Sequence, residues 1–330
     1  MRGRKRPRVQ RVAQRRTRSS LMSVTFLLCL LLLSSTSRTT SALRILLTND
    51  DGLDKPGLQT LRRRLIQDGH DVFVYATAAD RSGISASVQL SVPFVPLEDQ
   101  QTIVVGPPAT CVIAGLSLMN TTTTTTTASS TADSTTTIAT NFAVGPPDVV
   151  IVGISDGFAT GAQTLHSSSV GAALTAMGRG FPTIVVAGLS TNPTIVVQEV
   201  YYAYVADFTA RLLTQWVATI PLEDMAPGAG LKVTYPPLQP EDVIGVQLAK
   251  NGDDAPLSFG YTPSTADPTL WQVSPVMNED EQVDPDSETA LVDAGYVSIL
   301  PITSSFVLPE RQFNVRYILT LRRMLRGVDP

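Results

Sequence analysis

The sequence predicts an α/β fold built on a mainly parallel sheet, and three stretches carry that prediction. Leu43–Leu47 is a short apolar run that stops abruptly at Thr48-Asn49-Asp50-Asp51-Gly52. A strand buried on both faces of a parallel sheet reads this way, with polar side chains left at its carboxyl end. Asp71–Ala76 is a second such run, separated from the first by a helical pattern, and strand-helix-strand order argues a right-handed βαβ unit. Asp148–Val152 repeats the theme and leads into the Gly-rich stretch Gly153–Gly161. In open α/β sheets ligands bind at the carboxyl edge of the strands, so the chemistry is sought in the loops that follow these runs.

The elements follow in order. Pro56–Asp68 reads as a helix, because Pro suits the first turn, Leu58, Leu61 and Leu65 share one face, and Gly69 ends it. Ala79-Asp80-Arg81-Ser82-Gly83 is a polar loop after the second strand. Val88–Val95 and Thr102–Val105 are extended and suggest a hairpin leaving the main sheet. Pro108–Asn120 is a helix with Val112, Leu116 and Met119 apolar. Thr121–Thr140 is mostly Thr, Ser and Ala without periodicity and is expected to be a disordered insertion, with the sequon Asn120-Thr121-Thr122 at its edge. Ser167–Gly178 opens with three hydroxyls and continues as a small-residue helix. Thr183–Ala187 is a strand, Ile195–Trp216 a long helix and Leu231–Tyr235 another strand. Pro237–Asp286 is polar and weakly organised, Tyr296–Pro301 is a strand, and Glu310–Leu325 is a final amphipathic helix within the C-terminal segment 306–330.

Charge is unevenly spread. Residues 1–42 hold ten basic residues and no acid, which leaves 25 − 10 = 15 basic against 29 acidic residues in the remainder, a net of −14. So acidic a body argues against binding a nucleic-acid polymer. Leu21–Leu33 is an apolar run of signal-peptide length, followed by small residues with Thr40-Ser41-Ala42 as a cleavage site. Residues 1–42 therefore read as a secretory signal peptide, directing the protein to the secretory pathway or outside the cell. An uncleaved signal anchor and an organellar presequence are the alternatives, and only an uncleaved leader would give a stable membrane partner. Cleavage would remove Cys29 and leave Cys111 as a lone thiol, which reads as buried and structural.

The pair Asp50-Asp51 holds the sharpest chemical signal. Adjacent carboxylates repel unless a cation neutralises them, and oxygen ligands suit a hard divalent ion. An Asx-rich turn is the competing reading. Ser167-Ser168-Ser169 at a helix amino terminus is an anion site or an ordinary cap. A Ser–His–Asp hydrolase using His166 and Asp156 is disfavoured. His166 and Ser167 are chain neighbours that do not face each other on a helix, and no Gly-x-Ser-x-Gly elbow precedes a helix. Gly153–Gly161 lacks the spacing of a dinucleotide fingerprint.

Four stretches in order resemble the SurE (survival protein E) family of metal-dependent nucleotidases and phosphatases: Asn49-Asp50-Asp51-Gly52, Asp80-Arg81-Ser82-Gly83, Gly153-Ile154-Ser155-Asp156-Gly157 and Ser167–Ala173. Gly106–Val112 and Gly295–Pro301 are close to further family motifs, and the resemblance covers about residues 43–305. It implies a Rossmann-like three-layer core with a smaller β-rich extension, assembled as a dimer or tetramer. It also implies hydrolysis of small phosphate monoesters, commonly nucleoside monophosphates, with a divalent cation, Mg²⁺ or Mn²⁺. Carried over by position, the metal ligands fall on Asp50, Asp51, Ser82 and Ser155, where Ser155 stands in place of the family's Asn. Phosphate contacts fall on Asn49, Gly83, Ser167, Ser168 and Ser169, and the catalytic set is Asp50, Asp51 and Ser167. A second family Asn falls on Ala159, and the family's Tyr before the hydroxyls is His166 here. In this picture Asp50 helps deprotonate the attacking water. The departures at Ser155 and Ala159 leave a second possibility, a degenerate protein that keeps phosphate or metal affinity without turnover.

Overall fold

The computed structural model describes residues 42–120, 126–130, 134–138, 145–157, 159–188, 198–225, 228–252, 257–267, 269–277, 283–304, 315–325 and 328. The leader, apart from Ala42, lies outside these residues, as does half of the Thr-rich tract Thr121–Thr140. No described helix is long and apolar enough to cross a membrane.

The frame is a nine-stranded sheet. Strands β1 (Arg44–Thr48) and β2 (Asp71–Thr77) pair in parallel and flank helix α1 (Pro56–Gln67) in sequence, as the βαβ reading requires. Strands β3 (Phe94–Pro96) and β4 (Gln101–Val104) form a hairpin, but β4 also pairs in parallel with β2. The expected departure from the main sheet is therefore corrected: the hairpin is the sheet's edge. Helix α2 (Pro108–Met119) carries the chain back across the sheet. Within the Thr-rich tract, β5 (Thr126–Ser130) and β6 (Ser134–Ile138) pair only with each other, so ten residues expected to be structureless form a ribbon. Threonine is β-branched and suits a strand even where no core forms.

Strand β7 (Val149–Asp156) lies on the other side of β1 and pairs with it in parallel. The first strand is thus flanked by β2 on one side and β7 on the other, which is the topological switch point of a doubly wound sheet. Strand β7 runs four residues beyond the predicted Val152, so Ser155 and Asp156 stand on the strand and not in a free loop. The extension holds an irregularity, because the register to β8 (Thr183–Gly188) shifts between Val152 and Ser155. Gly153 sits there at φ +139°, where an added Cβ would come within 2.3 Å of the Val186 carbonyl oxygen. Only glycine fits this combination of positive φ and close backbone.

Helix α3 (Ser168–Met177) follows a short 3₁₀ turn, Gly161–His166. Helix α4 (Gln198–Thr219) precedes β9 (Ala229–Tyr235), which pairs in parallel with β8. The far edge is β10 (Gly245–Leu248) beside β13 (Tyr296–Thr303), and β13 runs antiparallel to β9. The segment read as weakly organised contains β11 (Leu257–Pro263) and β12 (Trp271–Met277), a separate hairpin that forms the smaller β-rich extension. Short helix α5 (Glu288–Asp293) is capped by Ser287, whose hydroxyl accepts from the Ala290 N–H at 3.2 Å, and α6 (Val315–Leu325) is the last described helix.

Residue parity sorts the strands between two helical layers. Ile45 and Leu47 pack with Leu58, Leu61 and Leu65 of α1, with Tyr201, Val205, Phe208 and Trp216 of α4, and with Leu321 of α6. Leu46 points the other way, into Cys111, Val112 and Met119 of α2 and Ala172, Ala173 and Ala176 of α3. All of these side chains are at most 1% exposed, each large one contributing about 1.5–3 kcal/mol by burial. A three-layer α/β core results, with β1 at its centre.

Candidate active site

The loop after β1 turns on itself. The Asn49 carboxamide donates to the Gly52 carbonyl at 2.9 Å and accepts from the Gly52 N–H at 3.4 Å. Asn49 is fully buried, so its side chain shapes the loop that presents Asp50 and Asp51. The two carboxylates are only 6% and 7% exposed. The Asp50 carbonyl accepts from the Arg81 N–H at 2.7 Å, which joins this loop to the one after β2. In that second loop the Asp80 carboxylate takes both the N–H and the hydroxyl of Ser82, at 2.9 and 2.7 Å.

Helix α3 arrives with its amino terminus at the same place. Ser167 is its N-cap, accepting from the Val170 N–H at 3.2 Å. Ser168 is fully buried and fastens the second loop, donating to the Arg81 carbonyl at 2.7 Å and accepting from the Ile84 N–H at 2.9 Å. Ser169 donates to Asp50 Oδ1 at 2.6 Å, and Ser155 Oγ lies 2.5 Å from Ser169 Oγ. Since a carboxylate only accepts, the Ser169 proton belongs to Asp50 and the Ser155 hydroxyl donates to Ser169. Close approach of the helix to the second loop depends on Gly171, where a Cβ would meet the backbone of Ser85 and Ala86 at 2.4 Å.

One cavity gathers these groups. Asp50, Ser82, Gly83, Ser155, Ser167, Ser168 and Ser169 all line it, joined by Asp156, Ala159, His166 and Lys232. Asp51 is not part of this lining; it accepts the N–H of Asp156, which is, at 3.0 Å. Thus every residue assigned to the site lines this cavity except Asn49 and Asp51, which flank Asp50 in the same loop. His166 reaches the rim, whereas His70 is structural: its Nδ1 accepts the Leu43 N–H at 3.2 Å.

Burial pushes the Asp51 carboxyl up to about 7, with the charge of Asp50 acting the same way and the Asp156 N–H opposing both. Among the described residues neither Asp50 nor Asp51 has a basic partner, and no cluster of three or more His, Cys, Asp or Glu could hold a metal. Two uncompensated buried carboxylates beside neutral hydroxyl oxygens fit a hard divalent cation, and do not fit a soft one. Cys111, fully buried and with its thiol pushed up to about 12 by burial, is inert as expected.

Sequence reasoning missed Lys232, Glu288 and Thr234. Lys232 on β9 is 2% exposed, forms an ion pair with fully buried Glu288 of α5, and donates to the Ala159 carbonyl at 2.7 Å. Thr234 donates to the other Glu288 oxygen at 2.6 Å. A lone Lys within the apolar run Leu231–Tyr235 was the available signal.

Carboxylates and helix-terminal hydroxyls at the switch point of a three-layer sheet define a small-molecule site of the doubly wound α/β class. The chain belongs to the SurE family: residues 45–256 match the family model described as survival protein SurE. It is 29% identical over 266 residues to the 5'-nucleotidase SurE 1 of Burkholderia lata, covering 78% of this chain and 90% of the relative. To the 5'-nucleotidase SurE of Xanthomonas oryzae pv. oryzae it is 28% identical over 265 residues, covering 79% and 89%. The SurE protein of Aquifex aeolicus has the same fold, with a TM-score of 0.60 at 20% identity over 84% of this chain and 99% of that one.

Proposed function

We propose that this protein is a divalent-metal-dependent phosphomonoesterase of the 5'-nucleotidase type, acting on nucleoside monophosphates or related small phosphate monoesters. The observation that carries the reading is the Asp50–Ser169–Ser155 chain, which ties the buried acidic pair to the amino terminus of α3 within one cavity. Kinship with proteins named 5'-nucleotidase supports the substrate class.

Asp50, Asp51, Ser82 and Ser155 would hold the cation, with Mg²⁺ or Mn²⁺ matching the oxygen donors. When bound, it supplies Lewis-acid polarisation of a phosphoryl oxygen and acidifies a water. The chain's own groups do the rest. Ser167 and the first N–H groups of α3 orient the phosphate and stabilise charge that grows on its oxygens. Asp50, steadied at Oδ1 by Ser169, takes the proton of the attacking water. Ser168 keeps the loop of Ser82 and Gly83 against the helix. Ser155 retains lone pairs after donating to Ser169, so the departure from Asn leaves an oxygen ligand in place. Nothing in the geometry favours a degenerate site. Secretion through residues 1–42, and assembly as a dimer or tetramer, complete the reading; the support is the basic-then-apolar leader and the family resemblance.

A panel of nucleoside 5'- and 3'-monophosphates and p-nitrophenyl phosphate, assayed with Mg²⁺ or Mn²⁺, tests this directly. Metal-dependent release of inorganic phosphate is expected, and its absence from every member of the panel would overturn the reading.

A further inference from the structure

The cavity that Asp50 lines is also lined by Lys232, which is buried and paired with Glu288 of α5. Desolvating two charges is costly, and a well-packed apolar pair serves stability as well or better, so the pair itself is poor evidence of a stabilising role. Its connections point elsewhere. Lys232 Nζ donates to Glu288 and to the Ala159 carbonyl, which also accepts from the Thr164 hydroxyl at 3.2 Å. Ala159 lies on the segment that joins Ser155, at the end of β7, to Ser167, the cap of α3. Glu288 is in turn held by Thr234, two residues along β9 from Lys232. The ammonium is thus fixed from α5 and β9, and it pins the segment whose two ends carry site hydroxyls.

We propose that Lys232 is a positioning residue for phosphate binding: through the Ala159 carbonyl it holds the 159–166 segment so that Ser167 and the amino terminus of α3 face the bound phosphate. The inference rests on the phosphomonoesterase reading. Asp50 and Asp51 hang from the β1 loop, Ser82 from the loop after β2, and Ser155 is fixed within the sheet by its pairing with Ala187 of β8, so the device acts mainly on phosphate affinity and not on metal affinity.

The test replaces both charges, Lys232→Met with Glu288→Met, so that no unpaired ion stays buried. Inorganic phosphate binding is measured by calorimetry at saturating Mg²⁺, alongside KM for p-nitrophenyl phosphate and the Mg²⁺ midpoint from thermal shift. Phosphate Kd and KM are expected to rise together by about tenfold, the scale of a mispositioned binding group, with the Mg²⁺ midpoint within about twofold of wild type. Thr234→Val keeps both charges and removes only the hydroxyl that orients Glu288, and should move the same constants by about threefold. Lys232→Arg, which keeps a cationic donor, should restore part of the loss. Unchanged phosphate affinity in a folded double variant overturns the proposal, as does an equal shift in the Mg²⁺ midpoint. If the double variant does not fold, unchanged affinity in Thr234→Val overturns it. A wild-type protein that neither binds phosphate nor releases it from esters overturns the phosphomonoesterase reading and this inference together, which separates the two failures.

Discussion

With Asp51 as a proposed metal ligand, metal binding should depend on pH in a way that an ordinary carboxylate would not give. The Asp51 carboxyl is raised from the usual 3.8 to about 7, chiefly by burial and next by Asp50. Below that value the metal-free protein holds a proton on Asp51, and a cation must displace it. At pH 5 only about 1% of the carboxyl is ionised, against about 90% at pH 8, so the apparent Mg²⁺ affinity should fall on the order of a hundredfold between them. A carboxyl at 3.8 would change it by less than about 10% over the same range. The same shift sets a stability slope. The folded state binds the proton more tightly than the unfolded chain, so this contribution is present below about pH 4 and lost as pH rises through 7. Metal-free protein should therefore lose stability across that window, by a few kcal/mol at most. The assay is Mg²⁺ titration by calorimetry at pH 5, 6, 7 and 8, with Asp51→Asn alongside. Wild-type affinity that is flat across this range would refute the reasoning, as would a slope that persists in Asp51→Asn.

Ser155→Ala removes the donor to Ser169 and a proposed ligand oxygen, and should weaken metal affinity by about tenfold, whereas Ser155→Asn should strengthen it and raise the rate; activity against metal concentration measures both. Gly171→Ala drives a Cβ into the Ser85–Ala86 backbone and should cost about 1–3 kcal/mol in thermal unfolding while lowering activity through the displaced Ser82 loop. Expressed in a eukaryotic host, the secreted protein should begin near Leu43, and N-terminal sequencing of a membrane-retained product starting before residue 42 would favour the signal anchor instead.

Much of the fold was legible because its core strands are apolar on both faces. Leu43–Leu47 and Asp71–Ala76 could be read as buried parallel strands for that reason. The end of β7 was not, because Gly153 reads as a loop residue and its fit against Val186 is visible only once β8 is in place. The hairpin Phe94–Val104 was misplaced because pairing of Gln101–Val104 with β2 is a long-range choice that local pattern does not encode. At the site, Asp50 and Ser167–Ser169 stand out by residue type and position, whereas Ser82 and Ser155 enter only through the family resemblance; all of them line one cavity. Their division of labour was not readable. Ser168 and Asn49 look like ligand contacts in sequence, yet both are spent on holding loops. Lys232 and Glu288 are 56 residues apart, and only the crossing of α5 over β9 makes them partners.

The most direct measurement follows phosphate released from a nucleoside 5'-monophosphate by the purified body of the protein, first stripped with a chelator and then titrated with Mg²⁺ or Mn²⁺, for wild type and Asp50→Asn. Activity should vanish on stripping, return with the cation in wild type, and stay at least about a hundredfold lower in Asp50→Asn, which loses both a ligand and the proton acceptor. Full activity in the stripped protein, or equal recovery in Asp50→Asn, would contradict a metal-assisted hydrolysis centred on this carboxylate pair.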